Sequence, residues 1–186
     1  MSWSLQHKCL YNLAESYYDV GLLDPIKAYS GNVYRQMNSY LRSGYSEYPI
    51  ERLKCEVDLL RLTILSSPVI SQNIIVYRWE NRKVFLEMCK TLDTDIPFQQ
   101  KGFLSTTFEP FADTFMRYND DDYVLLKMRV PKGTHAVYTD LVAKHGEYEL
   151  IFLDGLYLRL QGGIENYEDT GRVVRTVDII DLKRRY

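Results

Sequence analysis

Along the first third of the chain, apolar residues recur at three- and four-residue intervals; further on they alternate with polar ones or cluster in short bursts. In PIERLKCEVDLLRLTILSS, the residues Leu53, Val57, Leu60 and Ile64 share one side of a helix, with Pro49 as a first-turn proline and Pro68 just past the end. CLYNLAESYYDVGLL and NVYRQMNSYLRSG carry the same spacing. The part from about residue 1 to 70 is predicted to be helical. From about 71 to 186 the runs NIIVYRW, GFLSTTF, YVLLKMRV, THAVYTDL, YELIFL, LYLRLQGG and RTVDIIDL are β-branched and aromatic, separated by glycine, proline and acidic turns. These are predicted strands. NDDDY at 119 to 123 reads as an acidic turn, and no internal repeat or low-complexity tract interrupts the pattern.

Helices followed by strands, in a chain of 186 residues, predict one α+β domain over 1–186 with a sizeable buried core. With 46% hydrophobic and 26% charged residues and a net charge of -2, the composition is that of a soluble globular protein. It offers no electrostatic case for nucleic-acid or membrane-surface binding. The sixteen tyrosines fit amphipathic strand packing. Cys9, Cys55 and Cys89 stand far apart, with no Cys-x-x-Cys, which predicts buried, reduced thiols and neither a zinc site nor a disulfide framework. The start, MSWSLQHKCLYNLAE, lacks the pattern of a secretory signal, and no run approaches about 18 apolar residues.

Three features carry candidate chemistry. AKHGEYELIF holds Glu147 and Glu149 at the mouth of an apolar run. As residues i and i+2 of a strand, they project from one face about 7 Å apart, with coupled ionisations. NIIVYRW places Arg78 inside an apolar strand, where a guanidinium calls for an anionic partner, either a ligand phosphate or a buried acid. KGFLSTTF ends on Ser105, Thr106 and Thr107, hydroxyls that donate and accept without charge.

In chain order, Arg78, Ser105 and Glu147-x-Glu149 resemble the arginine, serine, Glu-x-Glu signature of the mono-ADP-ribosyltransferases. YSGNVYRQMNSYLRSG at 29 to 44 resembles the helix preceding the catalytic strands in the clostridial actin-modifying toxins and the related exoenzymes, and the likeness runs from about residue 28 to 183. It implies a helical part packed on two β-sheets that form an NAD cleft. The activity implied is cleavage of NAD and transfer of ADP-ribose to an arginine of a target protein, without a metal. Glu149 then matches the catalytic glutamate that stabilises an oxocarbenium-like centre. Glu147 matches the position that divides arginine from asparagine acceptors: a protonated guanidinium needs a carboxylate to pair with it and take its proton.

By the same resemblance Arg78 holds the pyrophosphate or the nicotinamide ribose, and Ser105 positions NAD and the catalytic glutamate. Phe115 stacks near nicotinamide, with Phe111 as a competing match, and Arg117 reaches phosphate. Tyr34, Asn38 and Arg42 contact the nucleotide. The loop before Glu147 departs from the family pattern, offering Lys144 and His145 where an aromatic residue is usual. The resemblance therefore leaves the target open. The expected setting is a monomer acting in a cytosol as a toxin or effector. The alternatives are another acceptor, NAD hydrolysis, and a non-catalytic binding module.

Overall fold

The computed structural model describes residues 24–111, 122–140, 148–166 and 173–180. The helix predicted within CLYNLAESYYDVGLL falls outside them. A short helix α1 (Asp24–Ala28) runs into a wide π-type turn at Tyr29–Val33, interrupted at Gly31, and then into α2 (Tyr34–Ser43). Gly44 ends α2 in the left-handed region (φ 74°), and its N–H returns to the Tyr40 carbonyl at 2.7 Å. Glycine adopts that conformation without a Cβ penalty.

Helix α3 (Ile50–Ser66) turns the predicted stripe inward, with Leu53, Val57, Leu60 and Ile64 all buried. Pro49 is its N-cap, one residue before the first turn. The Arg61 guanidinium grips Asp154 through Nε (2.9 Å) and Nη2 (2.6 Å), tying α3 to a turn nearly a hundred residues away. Cys55 is on the exposed side of α3 and Cys89 is half-buried, so the expectation of buried thiols is corrected for these two. Helical spacing left Cys55 off the Leu53–Val57–Leu60 face.

The strands follow: β1 (Ile74–Asn81), β2 (Phe98–Gln100), β3 (Leu104–Thr107), β4 (Tyr123–Val130), β5 (Ala136–Tyr138), β6 (Glu149–Phe152), β7 (Leu156–Asn166) and β8 (Val173–Ile180). A further helix, α4 (Arg82–Cys89), lies within the part read as strands; the Asn81 side chain caps it by accepting the Lys83 N–H at 2.9 Å. The expected two sheets are the two arms of one eight-stranded sheet, ordered β2-β7-β8-β4-β1-β3-β6-β5. The five-strand arm ends at β1 and the three-strand arm begins at β3, and these two strands share a single register pair, Tyr77 with Thr107. All neighbouring strands are antiparallel except β4 and β8.

The main core lies between the helices and the sheet. It joins Ile26, Met37, Leu53 and Leu60 to Val76, Leu126, Met128, Leu104 and Phe152. The other face of the five-strand arm carries a smaller cluster of Trp79, Leu125 and Val174. No helix among the described residues is long and apolar enough to cross a membrane.

Candidate active site

Strand alternation puts Ile74, Val76, Arg78 and Glu80 of β1 on one face, so the apolar stripe that enters the core turns charged at its end. Arg78 Nε donates to Glu80 Oε2 at 2.7 Å, and Nη1 donates to the Ser105 carbonyl at 2.6 Å. Glu80 is 6% exposed, and its other oxygen accepts the Asn81 N–H at 3.0 Å. A buried acid is thus one partner of this guanidinium, which takes part of its fork and fixes its plane.

Ser105 faces the other way with its side chain. The β3–β6 ladder pairs Thr107 with Glu149 and Ser105 with Ile151, which sets Ser105 diagonally across from Glu149 on the same face. The Ser105 hydroxyl donates to Glu149 Oε1. Arg78 and Glu149 therefore meet at one residue, through its carbonyl and its hydroxyl. The other two hydroxyls of the run have backbone partners. Thr106 bonds the Leu150 carbonyl at 3.3 Å, and Thr107 accepts the Glu109 N–H at 3.0 Å. A hydroxyl that sequence reasoning passed over does reach it: Thr139 Oγ1 lies 3.1 Å from Glu149 Oε2.

The same-face argument for the two glutamates needs extended backbone between them. Tyr148 has φ 47°, in the left-handed region, and β6 begins only at Glu149. Such a conformation costs a non-glycine residue about 1–3 kcal/mol and persists where surrounding structure imposes it. Here the Tyr148 carbonyl is pinned by the Phe108 N–H at 3.3 Å. Strand alternation thus does not set Glu147 relative to Glu149, and Glu147 lies outside the described residues, as do Phe115 and Arg117.

On the helical side, Tyr29, another residue missed from sequence, is buried in the wide turn. Its ring meets Phe103 edge-on at 5.6 Å, and its hydroxyl accepts Asn38 Nδ2 at 3.1 Å. Burial pushes the phenol above its ordinary pKa and the Glu149 charge adds to that; the Asn38 hydrogen bond and the Arg78 and Arg42 cations pull it back. Asn38 is buried against Gly102, and Arg42 is exposed. Tyr34 is exposed, with the Arg35 guanidinium 5.6 Å above its ring. Phe111 packs edge-on against Trp79 at 6.1 Å, and the Trp79 indole donates to the Pro110 carbonyl at 2.8 Å. Trp79 leaves β1 on the face opposite Arg78, and Phe111 packs on that face with it.

An arginine, a serine and a glutamate are thus drawn from three strands onto one spot. The model of the ADP-ribosyltransferase exoenzyme family matches residues 23–178. This chain belongs to that family. Among solved structures, the fold is similar to that of C3stau2 from S. aureus, solved with NAD (TM-score 0.73, 21% identity, 97% of each chain covered). It is similar to Plx2a, an ADP-ribosyltransferase toxin from Paenibacillus larvae (TM-score 0.71, 16% identity, 94% of each chain). It is also similar to BECa of a binary enterotoxin of C. perfringens, solved with NADH (TM-score 0.67, 20% identity), where 94% of this chain covers 45% of that one. At these identities the likeness is one of fold. No curated protein matches by sequence.

Proposed function

We propose that this ADP-ribosyltransferase exoenzyme is a single-domain enzyme that cleaves NAD and transfers ADP-ribose to an arginine of a target protein, releasing nicotinamide and a proton. The observation that carries this reading is the convergence of Arg78 and Glu149 on Ser105. Structures of C3stau2 with NAD and of BECa with NADH support a dinucleotide as the co-substrate. The polar groups available here fit one. Arg78 and Arg42 supply cations suited to pyrophosphate. Ser30 Oγ and Asn38 Oδ1 are buried without a partner among the described residues, which leaves hydrogen-bonding capacity for ribose or amide groups.

NAD supplies the ADP-ribosyl group, and positive charge builds on its anomeric carbon as nicotinamide departs. Glu149, held by Ser105, presents its carboxylate to that charge, a contact stronger in the transition state than before it. Arg78, its plane fixed by Glu80 and the Ser105 carbonyl, orients the phosphate or ribose side. Glu147 pairs with the incoming guanidinium and accepts its proton, which is the basis for proposing arginine. The expected setting is a cytosol, as a toxin or effector.

The test is labelled NAD incubated with the protein alone, with agmatine, and with a cell lysate. Label on agmatine, lost in Glu149→Gln and reduced more than NAD hydrolysis in Glu147→Gln, is the expected result. Nicotinamide release with no labelled acceptor would reduce the reading to a glycohydrolase, and binding without turnover would leave a binding module.

A further inference from the structure

Glu149 opens β6, and the strands on either side of it each bring a hydroxyl. Ser105 arrives from β3. From the other side, the β5–β6 ladder runs Ala136 with Phe152, Val137 with Ile151 and Tyr138 with Leu150, then continues one step further. At that step the Thr139 N–H donates to the Glu149 carbonyl at 3.0 Å, so Thr139 stands directly opposite Glu149. Its Oγ1 is 3.1 Å from Glu149 Oε2, while Ser105 Oγ engages Oε1. The two oxygens of one carboxylate are thus engaged from opposite flanks.

We propose that Thr139 is a positioning residue for the reaction: with Ser105, it clamps the Glu149 carboxylate in the plane from which it meets the reacting carbon. The inference rests on the proposed activity and adds a residue to it. Glutamate's terminal torsion is broad and roughly two-fold, so a single hydroxyl on one oxygen leaves the carboxylate free to swing. A second donor on the other oxygen removes that freedom. Threonine suits the task because its branched Cβ stiffens χ1. At 1% exposure, its hydroxyl meets little competition from water. Among the described residues, the other acceptor near this hydroxyl is the Glu149 carbonyl at 3.5 Å, a longer contact to a neutral oxygen that is already bonded to the Thr139 N–H. Hydroxyl donors also hold the carboxylate without cancelling its charge, which a cationic donor would partly do.

The experiment compares wild type, Thr139→Val and Thr139→Ser by initial rates of NAD hydrolysis over a range of NAD concentration, with crystal structures of wild type and Thr139→Val. Losing one hydrogen bond to a charged group is expected to lower kcat about tenfold in Thr139→Val. KM for NAD should stay within about twofold, and Thr139→Ser should regain most of the loss. In the crystals, the Glu149 carboxylate should keep one orientation in wild type and rotate or split in Thr139→Val. Wild-type kcat in Thr139→Val, failure of serine to rescue, or an unmoved Glu149 in the variant structure would each overturn the clamp. A wild-type protein without NAD turnover would instead remove the activity reading, and the two structures would still decide whether Thr139 positions Glu149.

Discussion

Replacing Glu80 with glutamine tests whether the Arg78 fork is built from behind. The exchange keeps shape but leaves one acceptor oxygen where there were two. Glu80 uses both: Oε2 accepts Arg78 Nε and Oε1 accepts the Asn81 N–H. If the amide oxygen turns to Arg78, the new NH2 faces the Asn81 N–H, donor against donor; if it turns the other way, Arg78 Nε loses its acceptor. Either orientation leaves an unmet donor at a side chain only 7% exposed, next to a guanidinium 19% exposed. An unsatisfied group at such a site costs about 1–3 kcal/mol, and loss of the charge pairing adds to that. Stability in Glu80→Gln should fall by about 2 kcal/mol, read as a lower urea midpoint at unchanged slope. If the freed guanidinium also loses its fixed plane, KM for NAD should rise about tenfold, the equivalent of 1.4 kcal/mol. Tryptophan fluorescence during urea unfolding and NAD hydrolysis kinetics measure the two separately. A variant within 0.5 kcal/mol of wild type and with its KM unchanged would refute the argument that Glu80 sets the Arg78 geometry.

Two further outcomes follow from the helical side of the site. A Cβ added at Gly102 would stand 2.6 Å from Asn38 Oδ1, and Asn38 is buried, so Gly102→Ala should displace Asn38 and lower stability by about 1–3 kcal/mol; a crystal structure with Asn38 unmoved would contradict this. Tyr29 has its phenol pKa raised on folding, so the unfolded chain ionises first, at about pH 10, and stability held below that pH is lost as pH rises above it. Tyr29→Phe should flatten that alkaline fall in thermal melts between pH 8 and 11, and an unchanged slope would show that Tyr29 does not contribute.

Much of the fold can be read directly from residue spacing. YVLLKMRV is β4 from end to end, and the Leu53–Ile64 stripe is the buried face of α3. Arg78, Ser105 and Glu149 could be found because each breaks the pattern of an apolar strand. The Arg78 partner was also within reach: in YRWE, alternation alone puts Glu80 beside it. What spacing does not show are features decided by tertiary contact. Helix α4 follows β1 with only Asn81 as a signal, and β2 is three residues long. Tyr29 belongs to a turn whose shape depends on packing against Phe103. Thr139 meets Glu149 only through the β5–β6 register, and nothing local marks Tyr148 as left-handed.

The position of the site at the seam between the two arms carries a consequence of its own. Strands β1 and β3 share only the Tyr77–Thr107 pair, a weak joint for an eight-stranded sheet. Arg78 Nη1 crosses the same seam to the Ser105 carbonyl, so one side chain both fastens the arms and reaches the residue whose hydroxyl holds Glu149. Glu149 is gripped within its own arm by Ser105 and Thr139, and adds nothing across the seam in those two bonds. The two residues should therefore separate in their effects. Arg78→Ala leaves Glu80 buried with an unpaired charge and removes the crossing bond. Breaking such a pair costs about 3–5 kcal/mol when fully buried, and partial exposure of the guanidinium brings the expectation to about 2–4 kcal/mol. Glu149→Gln keeps an acceptor for one hydroxyl and should melt within a few degrees of wild type while losing turnover. Thermal melts of the two variants beside wild type decide the matter: if Arg78→Ala melts with Glu149→Gln, the seam is held by something other than this guanidinium.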